Sequence, residues 1–135
     1  MSHYKKGANA ERELVHTLFD RGFSVIRTAG SGKTSLPAPD IIALKPGRQL
    51  AFECKAWNAN SLSIHIASME EFLGWCERAG TIPIVAWKVP RQGWLFLRPD
   101  HLHRTAKFCL ISKKEAFEKA FTLEEIICEK SKPLN

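Results

Sequence analysis

The chain has 135 residues, which suit one domain with one hydrophobic core, and we predict a single domain over 1–135. Its 20 Lys and Arg against 14 Asp and Glu give a net charge of +6, which favours a polyanionic partner. The four cysteines form no Cys-x-x-Cys pair, and no apolar run has the length of a membrane span or a signal-peptide core. We therefore expect a cytoplasmic protein with reduced thiols and no membrane partner.

Apolar runs and turn residues in the first half of the chain predict one helix and three strands. In chain order these are a helix over 9–21, a strand over 23–28 and a hairpin of strands over 40–44 and 51–55. Asn9 is the expected cap of the helix and Gly22 its stop. A loop rich in Gly, Ser and Pro spans 29–38, and the Pro46-Gly47-Arg48 turn closes the hairpin.

The second half predicts two helices and another hairpin. A capping box at Ser68 opens a helix that ends near Gly80, and a second capping box at Thr122 opens a last short helix. Between them, strands over 82–88 and 94–98 pair across a turn at 90–93. This order predicts an α/β fold with a mixed central β-sheet flanked by helices.

The strand over 51–55 holds an acid and a lysine side by side. Because strand side chains alternate, Glu53 and Lys55 share one face while Phe52 and Cys54 pack on the other. A Glu-x-Lys pair is commonly a solvated ion pair of little energy, about 0 to 1 kcal/mol. Here it lies in an apolar stretch, where charges are costly, and the hairpin brings Asp40 to the same end.

Three acids therefore define a candidate metal site. Two neighbouring carboxylates, Asp40 and Glu53, repel each other unless a cation lies between them, and hard oxygen ligands suit Mg²⁺ or Mn²⁺. Glu11 is the third acid, on the apolar stripe of the first helix, although the helix dipole alone also favours an acid in a first turn. Lys55 is placed to steady charge that grows on a phosphate.

The segment Gly30-Ser31-Gly32-Lys33-Thr34 looks like the tail of a nucleotide-binding P-loop. The first glycine of that motif would fall on Arg27, and two prolines interrupt the helix that should follow. We therefore expect no nucleotide cofactor. The segment is better interpreted as a flexible loop at the mouth of the metal site, where Ser31 and Lys33 touch a phosphate; a solvated Ser31 is the alternative.

Basic residues precede or border the acidic cluster, where a DNA backbone would lie. They are Lys5, Lys6, Arg12, Arg27 and Lys33. Phosphate contacts of this kind carry no base sequence, so recognition by DNA shape is expected. Lys5 and Lys6 are equally typical of a solvated terminus, and Arg27 suits a DNA or a carboxylate contact. Trp57, just after Lys55, suits either stacking on a base or sugar or a hydrophobic lid.

These motifs resemble a known family. Pro39-Asp40 followed by Glu53-Cys54-Lys55 resembles the PD-(D/E)xK nuclease signature. The opening Gly7-Ala8-Asn9-Ala10-Glu11-Arg12-Glu13-Leu14 and the string Pro39-Asp40-Ile41-Ile42-Ala43-Leu44 are similar to archaeal Holliday junction resolvases, over roughly residues 5 to 105. The resemblance implies a restriction-endonuclease-like core and a homodimer that cuts four-way DNA junctions symmetrically with divalent metal, leaving ligatable nicks. It also implies a catalytic role for Ser31.

The predicted mechanism is hydrolysis of a phosphodiester by metal-activated water. Glu11, Asp40 and Glu53, with the carbonyl of Cys54, are the predicted ligands of Mg²⁺, with Mn²⁺ as a substitute, and Lys55 stabilises the phosphate. Two alternatives remain open. One is another nuclease of the same superfamily, restriction-like or acting in repair, and the other is a DNA-binding module that does not cut.

A homodimer also follows from the substrate, because a four-way junction has near two-fold symmetry and must be cut twice. The runs over 82–87 and 94–97 are apolar on both alternating faces, which makes their surplus face a candidate interface. The alternative is that these are central strands buried within one monomer.

Overall fold

A five-stranded sheet forms the centre of the protein, seen here in a computed structural model. The structure describes residues 3–28 and 36–128, with side chains from residue 6 onward. In chain order the elements are α1 (His3–Asp20), β1 (Ser24–Arg27), β2 (Ile41–Lys45), β3 (Arg48–Ala56), β4 (Ser61–His65), α2 (Ile66–Ala79), β5 (Ile82–Val89), β6 (Gly93–Leu97), a short 3₁₀ turn (Pro99–His101), β7 (His103–Arg104), β8 (Phe108–Ser112), α3 (Lys113–Lys119) and α4 (Leu123–Ile127).

The central sheet has the strand order β1-β2-β3-β5-β6. Strands β1, β2 and β3 are antiparallel neighbours, β3 runs parallel to β5, and β5 pairs antiparallel with β6. The β2–β3 connection is two residues long, and Gly47 supplies the positive φ of 81° that this tight turn requires. Both predicted hairpins and the mixed α/β sheet are therefore confirmed.

Helices cover the two faces of this sheet with separate apolar clusters. On one face α1 and α4 pack against β2, β3 and β5 through residues that include Leu14, Leu18, Phe52 and Ile126. On the other face α2 packs together with a second sheet of order β4-β8-β7. Successive side chains of β3 point to opposite faces of the sheet. Phe52 and Cys54 therefore belong to the α1 cluster, as predicted, and Ala51 belongs to the α2 cluster.

Two predicted helix starts are wrong. Helix α1 begins at His3, so Asn9 lies within the helix, where its side chain accepts a hydrogen bond from Arg12 at 3.3 Å instead of capping the helix. Helix α2 begins at Ile66 rather than at Ser68. The amide of Ile66 donates to the carbonyl of Lys107 at 3.0 Å, so the helix end needs no side-chain cap. Both glycine stops and the Thr122 capping box are confirmed.

Strand β5 lies inside the sheet, between β3 and β6. Ile84 and Ala86 are buried in the α1 cluster, and Val85 and Trp87 are buried in the α2 cluster. In β6 the side chain of Phe96 is only 3% exposed. The predicted interface on these strands is therefore wrong, since one chain buries both faces and leaves no surplus.

Candidate active site

Asp40 stands at the start of β2, where backbone and side-chain contacts fix it. Its amide donates to the carbonyl of Phe52 at 2.9 Å, and its own carbonyl accepts from the amide of Thr28 at 3.0 Å. Its Oδ2 atom accepts a hydrogen bond from the amide of Cys54 at 2.8 Å. The carboxylate is thus bound to the strand that carries the Glu53–Lys55 pair, as the hairpin predicted.

Glu53 lies next to Asp40 in a desolvated position. Burial, followed by the negative charges of Asp40 and Glu11, raises the pKa of Glu53 from 4.5 to about 7, against the opposing charge of Lys55. Burial also raises the pKa of Asp40, although the Cys54 amide and the charges of Lys55 and Arg27 oppose the rise. The structure therefore brings the acids and the lysine together.

Glu11 faces the same site from α1. Its Oε1 atom accepts from Nε of Arg27 at 2.9 Å, and the two side chains are only 17% and 20% exposed, so this ion pair is shielded from water. Burial and the charge of Asp40 raise the pKa of Glu11, and Arg27 opposes them. Glu11 thus belongs to the cluster, while Arg27 makes the carboxylate contact that was one of its two predicted roles.

The donor chemistry of this cluster fits a hard divalent cation. In the described ranges 3–28 and 36–128 no group of three His, Cys, Asp or Glu side chains is gathered closely enough to hold a metal ion. Arg27 is paired with an oxygen of Glu11. The carboxylates nevertheless destabilise each other's charged forms, and a cation among them would relieve that repulsion. The thiol of Cys54 faces the core, which leaves its backbone carbonyl as a donor.

Lys55 projects toward an aromatic ring. Its Nζ lies 5.7 Å from the centroid of the Trp57 ring. The carbonyl of Trp57 accepts a hydrogen bond from Nε1 of Trp87 at 3.1 Å, and the Trp57 side chain packs against the α2 cluster. The structure therefore agrees better with a hydrophobic lid than with an open surface on which a base or sugar stacks, because the indole of Trp57 is only partly exposed.

The residues predicted to contact DNA lie partly inside and partly outside the described residues. Lys6 and Arg12 are exposed on α1, whereas Ser31, Lys33 and the side chain of Lys5 lie outside the described residues. Lys6 borders a cavity of about 270 Å³ between α1 and the ends of β3 and β5. Its lining comprises Lys6, Asn9, Ala10, Glu13, Ala56, Lys88 and Pro90.

Lys88 is a basic residue that the sequence analysis missed. Its Nζ binds Oε1 of Glu13 at 2.7 Å across this cavity. No local pattern in the sequence marked it, because only the pairing of β3 with β5 brings Lys88 opposite Ala56, directly after the Glu53–Lys55 pair.

A mixed sheet with one acid at the start of a strand and an acid and a lysine on the next defines a restriction-endonuclease-like nuclease fold. A solved structure of a bacterial homing endonuclease, I-Ssp6803I, shares this fold with a TM-score of 0.51 at 13% identity, covering 89% of this chain and 83% of that one. No helix in the described part of the chain is long and apolar enough to cross a membrane.

The chain belongs to the archaeal Holliday junction resolvase (Hjc) family, whose model matches residues 2–133. The crossover junction endodeoxyribonuclease Hjc of Archaeoglobus fulgidus is 36% identical over 102 residues, covering 76% of this chain and 75% of that protein. The Hjc protein of Sulfolobus acidocaldarius is 31% identical over 129 residues, covering 94% and 90%. The resemblance drawn from the sequence motifs is therefore confirmed.

A solved structure supports the same relationship. The structure of Archaeoglobus fulgidus Hjc, described as a Holliday junction resolvase from an archaeal hyperthermophile, matches with a TM-score of 0.80 and 30% identity. The match covers 90% of this chain and 94% of that one. The similarity thus covers most of the chain, beyond the motifs that surround the acids.

Proposed function

We propose that this chain is a structure-selective endodeoxyribonuclease that resolves four-way DNA junctions by paired, magnesium-dependent cuts. One observation carries the proposal: in a chain of the resolvase family, Glu11, Asp40, Glu53 and Lys55 lie close enough for their charges to interact. No disulfide joins Cys54, Cys76, Cys109 or Cys128, and this reduced state supports a cytoplasmic location.

The proposed reaction is hydrolysis of a phosphodiester. A water molecule attacks phosphorus, one P–O bond to a sugar breaks, and the proton that the water loses balances the proton that the leaving oxygen gains. Asp40 is held rigidly by the Cys54 amide, and Glu53 stands beside it on β3. Lys55 stabilises the negative charge that grows on the phosphate oxygens.

Glu11, Asp40, Glu53 and the carbonyl of Cys54 are the proposed holders of Mg²⁺, with Mn²⁺ as a substitute. Bound Mg²⁺ would neutralise charge on the scissile phosphate and favour ionisation of the attacking water. Arg27 holds Glu11 in this structure, so its guanidinium competes for that carboxylate. Release of Glu11 would free Arg27 for a DNA phosphate, and this exchange reconciles its two predicted roles.

DNA recognition is proposed to follow backbone shape. The net charge of +6 favours a polyanion, and the exposed basic side chains of Lys6 and Arg12 lie on α1, the helix that carries Glu11. Ser31 and Lys33 stay predictions for the segment between β1 and β2, with a catalytic role for Ser31 and a phosphate contact for Lys33.

A homodimer is part of the proposal, because a two-fold junction needs two cuts on opposed strands. We propose a different contact surface from the one predicted from the sequence. Ile26 pairs with Ile42, and Ile42 pairs with Ala51, so these residues share the α2 face of the sheet. There Ile26 is 59% exposed and Leu44 is 38% exposed, and this apolar area on β1 and β2 is the proposed contact surface.

A panel of labelled substrates tests the function. Four-way junctions, flaps, single strands and plain duplexes are incubated with wild-type protein, with Glu53→Gln and with Glu118→Gln, an exposed control on α3. We expect paired symmetric cuts in the junction alone, loss of cutting by Glu53→Gln or by chelation of metal, and wild-type cutting by the control. Equal cutting of flaps or duplexes would favour another nuclease of the superfamily, and binding without cutting would favour a non-catalytic module.

A further inference from the structure

We propose that Trp57 is a positioning residue for the cleavage reaction, because its indole face holds the ammonium group of Lys55 near the carboxylates of Asp40 and Glu53. The inference rests on the proposed function, in which Lys55 stabilises the scissile phosphate. Trp57 is proposed to hold Lys55 in place, and it is neither a metal ligand nor a DNA contact in this proposal.

In the structure the ammonium group of Lys55 contacts the ring of Trp57. Lys55 Nζ lies 5.7 Å from the centroid of the Trp57 ring, within the range of a cation–π interaction. In the described part of the chain, none of the ion pairs within 4.0 Å involves Lys55, although Asp40 and Glu53 are its neighbours. The lysine is therefore near the carboxylates but is held by an aromatic face.

The backbone and the side chain of Trp57 are both held in place. Trp87, which is 0% exposed at the centre of β5, donates its Nε1 hydrogen to the carbonyl of Trp57 at 3.1 Å. The side chain of Trp57 packs against the apolar cluster beneath α2. Strand alternation puts Glu53 and Lys55 on one face of β3, and Trp57 follows directly after this strand with its ring 5.7 Å from the Lys55 ammonium group. A ring packed against the α2 cluster therefore limits where the flexible lysine stem can place its ammonium group.

Nε1 of Trp57 is buried and has no hydrogen-bond partner. An unpaired buried donor is unfavourable, so a hydrogen bond is not the reason that an aromatic residue stands here. The other property of this side chain is its aromatic face, which contacts Lys55. A phenylalanine would keep that face and remove the unpaired donor, which makes Trp57→Phe the conservative variant.

The chain contains a matched control. Lys88 Nζ lies 5.7 Å from the centroid of the Trp94 ring, the same separation as in the Lys55–Trp57 pair. Trp94 also donates to Glu13 at 3.2 Å. This second pair involves none of the proposed metal-binding acids, so Trp94→Leu removes a comparable tryptophan without disturbing Lys55.

The test compares full-length wild-type protein with Trp57→Leu, Trp57→Phe and Trp94→Leu. Single-turnover cleavage of one four-way junction is followed with Mg²⁺ at saturating protein, and the junction Kd is measured separately by gel shift in EDTA. We expect Trp57→Leu to cut about tenfold more slowly with an unchanged Kd. Trp57→Phe and Trp94→Leu should cut within about twofold of wild type.

A series at position 57 separates ring electrostatics from folding. Phenylalanine and its increasingly fluorinated analogues have similar shapes, but fluorine withdraws the negative charge of the ring face that attracts a cation. The cleavage rate should fall stepwise with fluorine number while the melting temperature stays constant. Equal rates across the series, or a Trp57→Leu variant that cuts like wild type, would overturn the positioning role. A wild-type chain that cuts no junction would instead refute the proposed function itself.

Discussion

Glu53 is expected to destabilise the metal-free fold whenever its carboxyl group is ionised. Burial, with the charges of Asp40 and Glu11, raises its pKa in the folded chain from 4.5 to about 7. In the unfolded chain the group returns to its ordinary pKa of 4.5. Glu53→Gln keeps the shape and removes the charge, so the substitution should stabilise the protein in the absence of metal at pH 8.

The direction of the pH dependence follows from the number of protons that Glu53 binds in the folded and the unfolded state. Between about pH 4.5 and about pH 7 the folded state binds more protons at Glu53 than the unfolded state does, so the free energy of unfolding falls as the pH rises through this window. A rise from 4.5 to about 7 corresponds to about 3 kcal/mol, at about 1.36 kcal/mol per tenfold change in proton affinity. Desolvation of the buried glutamine amide offsets part of this gain, so the expected net stabilisation by Glu53→Gln is about 1 to 2 kcal/mol.

Thermal melts in EDTA measure the effect for wild type, Glu53→Gln and the exposed control Glu118→Gln. A gain of about 1 to 2 kcal/mol should raise the Tm of Glu53→Gln by roughly 3 to 10 °C at pH 8. Most of this difference should disappear at pH 5, and the control should match wild type at both pH values. Added Mg²⁺ should raise the Tm of wild type more than that of Glu53→Gln. A variant that is less stable at pH 8, or a gain of equal size at both pH values, would refute the reasoning.

Four further predictions concern other parts of the molecule. Asp40→Asn should lower the cleavage rate about a thousandfold and leave the junction Kd within about twofold, and cutting at the wild-type rate would sink the site assignment. Lys6→Ala should reduce the log–log salt slope of junction binding by about 0.9, whereas an unchanged slope would rule out a phosphate contact. In sedimentation equilibrium Ile26→Glu should yield monomers, while Phe19→Glu, on exposed α1 surface, should remain dimeric; an intact Ile26→Glu dimer would place the interface elsewhere. Phe52→Ala should cost about 3 to 5 kcal/mol in urea unfolding, and a loss below about 1 kcal/mol would contradict its core position.

The sequence by itself determined the local features of this protein. Strand alternation placed Glu53 and Lys55 on one face, and the two-residue turn at Gly47 brought Asp40 to the Glu53 strand. The glycine stops and the Thr122 capping box were also readable, because each depends on residues within one turn of backbone. Family membership followed from these motifs and is confirmed over residues 2–133.

Contacts between distant segments were decided by the tertiary structure. The small sheet of β4, β7 and β8 was not predicted, although 61–65 alternates polar and apolar residues, because its short strands are stable only when paired. Helix α2 starts at Ile66 because a carbonyl from a distant loop, that of Lys107, satisfies its first amide.

Contacts between distant segments also decided the arrangement of the candidate active site. The Glu11–Arg27 ion pair joins residues that are far apart in the sequence, and the position of Trp57 depends on a hydrogen bond from Trp87. Apolar patterning in β5 was compatible with an interface or a buried central strand, and only the pairing of β3, β5 and β6 decided for burial. Periodicity reports which faces of a strand are apolar, but which neighbour covers each face depends on how the whole chain packs.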